Sequence, residues 1–305
     1  MNRCHGCGEP ADGARYHDHC LRTLFGVDRL PAIDIDLARL HTLALAMVGK
    51  VSLSGVQKKL SVRVDPARAT LQLALGDGRF ILKPQAGTFP HLPENEWLTQ
   101  RLAAMAEIEV SPAALVPLAD GSLAYVVRRF DRRNDGSKRG MEDFCQLAEL
   151  PPAGKYDSSA ERCAKLVHRY ATEPLIEVLK LYRQFVFAWW VGNGDLHLKN
   201  LALMRIDDGR QVLSPAYDLL NTRLPIPDDP LALPVCGKRD NLSAATWHEC
   251  AQRFGIGKKA AAAVLQSIAA TLPRALPLIA DAPLPDELRD RYAALVTERA
   301  ALLSE

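Results

Sequence analysis

A polar, glycine-containing run in the second half of the chain constrains the fold more than any other sequence feature. The run Gly192–Asn200 directly follows Leu175–Trp190, a segment that is apolar nearly all round toward its end, and directly precedes the strand-like Leu201–Ile206. A helix that is apolar on all sides has to be buried in the core of a soluble protein. The run is therefore predicted to be a loop held between a core helix and a strand.

This loop carries a spacing of polar residues that has a chemical use. Four residues separate Asp195 from Asn200, as in the protein-kinase catalytic loop, where the Asp accepts the proton of the attacking hydroxyl and the Asn binds a metal ion. Taken alone the spacing is weak, because short polar residues beside glycines are common in turns and caps.

The residues that follow strengthen this interpretation. A predicted hairpin with its turn at Asp207-Asp208-Gly209 returns the chain to Asp218, beside Asn200. Carboxylate and amide oxygens are the ligands that Mg²⁺ prefers, so Asn200 and Asp218 are candidate magnesium ligands. A helix cap before Leu219 is the alternative role for Asp218.

The first half of the chain is predicted to be a small sheet with one helix. The strands are predicted at Leu60–Val64, Leu71–Leu75, Arg79–Leu82 and Leu123–Val127, and the helix at Glu94–Glu107. Lys83 ends the third strand, and an ion pair with Glu96 on the helix would make it a phosphate-binding lysine. A solvated strand end is the alternative for Lys83. The loop Ser52–Lys59 offers amides and hydroxyls to phosphate, although it lacks the repeated glycines of G-x-G-x-x-G.

Several sequence blocks, in this order, resemble the HipA family of bacterial toxin kinases. They are SLSGVQKKLSV, ILKP, ENEWLTQRLA, VVRRFDR, EDFCQL, GNGDLHLKNLAL and LSPAYDLLNT, and the resemblance covers about Val51–Ala232. It implies an α+β, two-lobed protein-kinase-like fold of the phosphoinositide-kinase type, with a β-rich N-lobe at 27–130 and a helical C-lobe with the catalytic loop at 131–305.

The resemblance also implies an activity and its residues: a serine/threonine protein kinase that uses ATP and Mg²⁺. Asp195 would be the catalytic aspartate, Asn200 and Asp218 the metal ligands, and Lys83 the phosphate-binding lysine. The further ATP-binding residues would be Ser54, Gly55, Gln57, Lys59, Glu96, Arg128, Arg129, Phe130 and His197. Arg128–Phe130 matches the segment that meets adenine, chiefly through its backbone.

In this family a phosphate-loop serine is autophosphorylated, which switches the kinase off. Ser52 matches that position, with Ser54 as the second candidate. A phosphoserine adds up to about two negative charges where the ATP phosphates must bind, so repulsion expels the loop. Each serine also fits the simpler role of a loop hydroxyl.

The resemblance implies partners as well. They are a helix-turn-helix antitoxin of HipB type, a small HipS-type protein in place of the subdomain for which the segment before Ser52 is too short, and an aminoacyl-tRNA synthetase as the leading substrate. Two alternatives remain open. One is a catalytically weak kinase-fold scaffold that docks onto a DNA-binding antitoxin, and the other is a kinase of a small metabolite.

Composition sets limits on partners and compartment. With 38 basic and 36 acidic side chains, a net charge of +2 gives no electrostatic reason for direct DNA binding, so DNA contact is expected only through a partner. The most apolar stretch, Phe185–Val191, is far shorter than the roughly 20 residues of a membrane span. The 7 cysteines form an odd set without a signal-peptide pattern before them, which predicts a cytoplasmic protein.

A cluster of cysteines and histidines predicts a separate N-terminal module at 1–26. Cys4-x-x-Cys7 and His17-x-x-Cys20 form two close-spaced pairs that suit a tetrahedral structural Zn²⁺ site. His19 competes with His17 for the third position, since only one residue separates the two. Free thiols in a frayed terminus are the alternative.

Overall fold

The computed structural model describes residues 2–33, 37–40, 42, 59–74, 76, 78–133 and 135–304. The chain divides into two compact units. The first consists of Met1–Arg101, Ser111–Lys138 and Asp281–Leu284, and the second of Leu102–Val110, Arg139–Ala280 and Pro285–Glu305.

The first unit is built on a five-stranded antiparallel sheet of order β2-β1-β3-β5-β4. Its elements are α1 (Asp18–Phe25), β1 (Leu60–Asp65), β2 (Thr70–Leu73), β3 (Phe80–Pro84), most of α2 (Leu92–Met105), β4 (Ala113–Pro117) and β5 (Leu123–Arg128). One apolar cluster joins α1 to the sheet, with Leu21, Leu24 and Phe25 packed among strand residues such as Phe80 and Val126. The sheet thus has a core to which the N-terminal helix contributes.

The second unit combines a three-stranded antiparallel sheet with several helices. Its elements are β6 (Met141–Asp143), α3 (Phe144–Leu147), α4 (Ala160–Tyr170), α5 (Pro174–Val191), β7 (Ala202–Arg205), β8 (Gln211–Leu213), α6 (Ala244–Arg253), α7 (Lys258–Ala269), α8 (Leu272–Ala280) and α9 (Asp286–Ser304). The predicted burial of α5 is confirmed, since every residue from Gln184 to Val191 is buried.

Polar groups tie α5 to neighbouring helices. Trp190 Nε1 donates to the Val296 carbonyl of α9 (2.9 Å), and Tyr182 Oη donates to the Trp247 carbonyl of α6 (3.0 Å). Buried donors need such partners, because an unpaired one costs roughly 1–3 kcal/mol. The helix that precedes the candidate catalytic loop is therefore held from two sides.

Element boundaries differ from the predictions where the local signal was ambiguous. Ser158 and Glu161 have the spacing of a capping box, but this prediction is wrong: the cap of α4 is Ser159, whose side chain accepts from the Arg162 amide. Strand β4 was not predicted, because its sequence AALVP has no alternation and no aromatic residue. Pro174 opens α5, in the first helical position that suits proline.

One described helical stretch, Lys258–Ala280, has the length (23 residues) and mean hydropathy (1.4) of a membrane span. The structure divides it into α7 and α8, and both helices bury apolar side chains, among them Leu265 and Leu278. Core helices of soluble proteins have the same composition, so this stretch is weak evidence for a membrane segment.

Candidate active site

Two glycines shape the loop that follows α5. Gly192 ends the helix at φ +75°, in the left-handed region where side chains are strained. A Cβ atom on Gly194 would lie 2.1 Å from Asp229 Oδ2 and 2.6 Å from the Pro230 carbonyl oxygen. The loop can therefore take this path only with a glycine at position 194.

Hydrogen bonds from neighbouring residues fix the position of Asp195. The buried Asn193 accepts from the Asp195 amide through Oδ1 (2.9 Å), and Thr222 Oγ1 accepts from the Gly194 amide (2.7 Å). The Asp195 side chain itself stays 42% exposed, so a substrate can reach it. Burial raises the pKa of Asp195, and Asp218 adds to this, although His197 and Lys155 act in the opposite direction.

The two candidate metal ligands are brought together by the β7–β8 hairpin. Asn200 lies at the end of a short 3-10 turn, Leu198–Asn200, and its Nδ2 donates to the Asp195 carbonyl (2.9 Å). Tyr217 Oη donates to the Lys199 carbonyl (2.8 Å), which ties the residue before Asp218 to the residue before Asn200. Asp218 has φ +54°, a strained conformation that is often found at functional sites.

This donor set fits a magnesium ion. Because the Asn200 amide nitrogen is used as a donor, its Oδ1 is left as the ligand atom, and the Asp218 carboxylate supplies a second oxygen. Mg²⁺ is commonly held by one or two protein oxygens, with water and substrate phosphates completing its shell.

The structure places Lys155 and Tyr156 beside Asp195. Lys155 Nζ donates to His197 Nε2 (2.9 Å), and Tyr156 Oη donates to Asp195 Oδ1 (3.4 Å). The two rings, Tyr156 and His197, meet edge to face at 5.3 Å. Sequence analysis did not find Lys155, because its segment lies about forty residues upstream of the loop and carries no motif of its own.

The contact with Lys155 determines which nitrogen of His197 carries a proton. An ammonium only donates, so Nε2 must accept and the proton of the neutral ring lies on Nδ1. Burial lowers the pKa of His197, and the charge of Lys155 lowers it further against the opposing effect of Asp195. His197 Nδ1 is buried without a hydrogen-bond partner among the described residues.

Lys83 lies beside Glu96, its predicted ion-pair partner. Lys83 Nζ and Glu96 Oε1 form an ion pair in the first unit, with side-chain exposures of 4% and 2%. The ammonium also lies 5.6 Å from the ring centroid of Tyr125, its neighbour across β3 and β5. A solvated strand end, the alternative for Lys83, does not agree with this burial.

The Arg128–Phe130 segment continues β5, and the backbone amides of its first two residues donate hydrogen bonds to other backbone carbonyls. The Arg128 amide donates to the Pro112 carbonyl (2.9 Å) and the Arg129 amide to the Arg79 carbonyl (2.8 Å). The Arg129 guanidinium is bound by Asp131 through two bonds of 2.9 and 2.7 Å.

Four predicted phosphate-loop residues lie outside the described residues, namely Ser52, Ser54, Gly55 and Gln57. Lys59 is described and is half-buried, directly before β1.

At the N-terminus, four side chains converge on one point. The ligand atoms of Cys4, Cys7, His17 and Cys20 all lie within 4.8 Å of one another, and His19 is outside this group. Hydrogen bonds from the Cys7 thiol and nearby amides lower the pKa of Cys4 to about 4, against the effect of burial. This cluster can hold a metal ion.

Comparisons with known proteins agree with these observations. The fold is that of a kinase: a structure of HipA from Shewanella oneidensis MR-1, solved with HipB and operator DNA, superposes with a TM-score of 0.69 at 20% identity, over 89% of this chain and 72% of that one. The proinflammatory kinase CtkA of Helicobacter pylori gives 0.53 at 15% identity, over 73% and 86%. The predicted α+β, kinase-like fold is confirmed.

Residues 51–276 match the HipA-like C-terminal domain, so the chain belongs to the HipA family, and the predicted resemblance is confirmed. Among curated proteins, "Putative kinase Y4mE" of Sinorhizobium fredii is 32% identical over 83% of this chain and 64% of its own length. "Putative kinase Y4dM" of the same organism is 34% identical over 57% and 45%. The chain thus spans about half to two thirds of the length of these relatives.

Proposed function

We propose that this chain is an ATP-dependent serine/threonine protein kinase. The observation that carries the proposal is the arrangement around the candidate catalytic loop. The hydrogen bond from Tyr217 to the Lys199 carbonyl holds Asp218 near Asn200, and the Asp195 side chain is 42% exposed. The buried pair of Lys83 and Glu96 supports it independently.

Each residue has a distinct part in this proposal. Asp195 orients the attacking hydroxyl and accepts its proton, which the raised pKa of this half-buried carboxylate favours. Lys83, oriented by Glu96, binds ATP phosphate as a positive charge. Mg²⁺ held by Asn200 and Asp218 would neutralise charge on the phosphates. His197 and Lys155 supply a buried N–H donor and a cation beside Asp195.

Incubation of purified protein with labelled ATP and Mg²⁺ tests the proposal. We expect wild type to incorporate label and Asp195→Asn to lose at least about a hundredfold in rate, because the base is removed while the loop geometry is kept. Asp208→Asn, on the exposed turn of the neighbouring hairpin, is the matched control and should equal wild type.

Equal, negligible labelling of wild type and Asp195→Asn would reject the kinase. Tight complex formation with a DNA-binding regulator, without phosphotransfer, would then favour the kinase-fold scaffold. Labelling of small molecules in a lysate treated with a thiophosphate analogue of ATP would instead identify a metabolite kinase.

The biological role that we propose is that of a cytoplasmic toxin restrained by a HipB-type, DNA-binding antitoxin. The support is family membership and the likeness to a HipA that was solved with HipB and operator DNA. An aminoacyl-tRNA synthetase is the proposed substrate, Ser52 or Ser54 the site of inhibitory autophosphorylation, and a HipS-type protein a further partner. Phosphoproteomic comparison of wild type with Asp195→Asn cells tests the substrate and the loop serines together.

We further propose that Cys4, Cys7, His17 and Cys20 bind a Zn²⁺ ion. A tetrahedral zinc site has Zn–S distances of about 2.3 Å and Zn–N distances of about 2.0 Å, so its ligand atoms are separated by less than about 4 Å. His17 Nδ1 and Cys7 Sγ are already 3.4 Å apart.

A further inference from the structure

The segment that carries the metal ligands has almost no apolar core of its own. Between Asn2 and His17, the fully buried residues are Cys4, Gly6, Gly8 and Ala11. Burial of so little apolar surface cannot offset the conformational entropy of ordering a segment of this length. Small modules of this kind usually require a disulfide or a metal, and all the described cysteines are free thiols.

The backbone of the segment already has the form that a metal-bound thiolate requires. The amides of Gly6 and His17 both donate to Cys4 Sγ, at 3.4 and 3.3 Å. A Cβ atom on Gly6 would lie 2.8 Å from Cys20 Cβ, so a residue with a side chain cannot occupy this turn without moving a ligand. These contacts are typical of a built site and not of a frayed terminus.

The structure also distinguishes His17 from His19. His17 Nε2 donates to the Pro10 carbonyl (3.1 Å), which can only accept, so the lone pair for a metal lies on Nδ1. His17 Nδ1 faces Cys7 Sγ, whereas His19 Nε2 contacts Cys20 Sγ from an exposed position. The two rings stack at 5.2 Å, with only His17 belonging to the four-residue cluster.

Both sides of the cluster are attached to the large sheet of the first unit. The Leu115 amide of β4 donates to the His5 carbonyl (3.1 Å), and Tyr16 Oη donates to the Leu115 carbonyl (2.6 Å). Arg101 on α2 donates to the Gly6 carbonyl (3.1 Å). The cluster therefore touches a strand and the helix that carries Glu96.

The fourth ligand continues the attachment into the apolar core. Cys20 lies on α1, and the next buried residues of that helix, Leu21, Leu24 and Phe25, belong to the core of the sheet. Phe25 packs on Phe80 of β3 at 5.5 Å between ring centroids. A bond from Cys4 and Cys7 through a metal to Cys20 would cross-link the N-terminal loop to this helix.

From these contacts we propose that the zinc ion is a structural clamp of the first unit, and that the stability of the fold around Lys83 and Glu96 depends on it. The inference rests on the proposed zinc site and is independent of the proposed kinase activity. Without the metal, only hydrogen bonds link the three thiols and the imidazole, and the loop can separate from β4 and α1.

Zinc content and thermal unfolding of the full chain test this inference. We expect one zinc per chain in wild type and in His19→Ala, and a large loss of bound zinc in His17→Ala. Because metal binding adds to folding free energy, removal of zinc should lower the Tm of the unfolding transition that occurs at the lowest temperature by about 5–10 °C or more. Added zinc should restore it for wild type.

A spectroscopic readout keeps the test valid if His17→Ala fails to fold. Wild type refolded with Co²⁺ in place of zinc should show the thiolate-to-metal absorption and visible bands of a tetrahedral site, and His19→Ala should match it. Cys236→Ser, at a half-buried thiol outside the cluster, is the control for general loss of a cysteine.

The outcomes separate the two proposals. No metal in any sample rejects the zinc site, and with it the clamp. Stoichiometric zinc whose removal leaves the Tm unchanged rejects the clamp alone. Equal zinc loss in His17→Ala and His19→Ala rejects the assignment of His17. None of these results bears on phosphotransfer, which is measured separately on Asp195→Asn.

Discussion

At the scale of single residues, the ion pair of Lys83 with Glu96 combines a structural role with the proposed binding of ATP phosphate. Both side chains are almost completely buried. The loss of one partner leaves the other charge in a poorly solvated position, whereas the loss of both charges removes that penalty. The two roles can therefore be separated by mutation.

We expect Lys83→Met to lower the free energy of unfolding by about 3–5 kcal/mol, since the Glu96 carboxylate loses its cation. The double variant Lys83→Met with Glu96→Gln should recover most of this loss. Phosphotransfer should be absent in both, because neither has a phosphate-binding cation. Urea denaturation measures the stabilities, and equal stability of the single and double variants would contradict a buried pair.

Substitution of Lys155 tests the geometry of the candidate catalytic loop. Its ammonium holds His197 and acts on Asp195, so Lys155→Met should reduce the rate of phosphotransfer by about tenfold to a hundredfold with little change in ATP affinity. Lys165→Met, at an exposed position of α4, is the matched control. Steady-state rates and equilibrium nucleotide binding separate the two effects, and equal rates in both variants would remove Lys155 from the site.

At the scale of elements, the β7–β8 hairpin positions the candidate metal site. The Ser214 amide donates to the Ala202 carbonyl (2.9 Å), which extends the pairing to the residue just before Pro215. Lys199 also pairs with Asp143 at the end of β6 (2.8 Å). The distance between Asn200 and Asp218 thus depends on the register of β6, β7 and β8.

Tyr217→Phe should weaken this arrangement without removing a ligand. Loss of the bond to the Lys199 carbonyl should cost about 1 kcal/mol of stability and raise the Mg²⁺ concentration needed for half-maximal phosphotransfer several-fold. Tyr170→Phe, on α4, controls for loss of a tyrosine hydroxyl. Titration of activity with Mg²⁺ gives the answer, and an unchanged midpoint would show that the hairpin does not set the ligand spacing.

At the scale of the whole molecule, the balance of charge limits direct contact with nucleic acid. A net charge of +2 leaves little long-range attraction to a phosphate backbone, unlike the basic surfaces of DNA-binding domains. We expect DNA association by this chain to come through a partner that supplies the basic surface.

We therefore expect no saturable binding of duplex DNA by the purified chain at physiological salt. Binding should appear when a helix-turn-helix partner of HipB type is added, and its salt dependence should be that of the partner. Fluorescence anisotropy of labelled DNA measures both. Tight, strongly salt-dependent binding by the chain alone would contradict the charge argument.

Local patterns in the sequence were sufficient to predict many helices and strands and some pairs of contacting residues. The apolar core helix α5, the strands around Lys83 and the hairpin before Asp218 follow from periodicity and turn residues, which act over a few residues. Strand β4 could not be found in this way, because AALVP becomes a strand only through pairing with β5.

The sequence by itself determined which chemical groups this protein has: a kinase-like spacing at Asp195 and Asn200, a lysine at the end of a predicted strand at Lys83, and paired cysteines at the N-terminus. Only the tertiary structure decided that Lys155 lies on His197 and that His17, not His19, joins the cysteines. The physical reason is that these contacts join segments far apart in the chain or depend on ring orientation. The spacing of residues along the chain does not determine either of these two contacts, whereas the packing of the folded unit does.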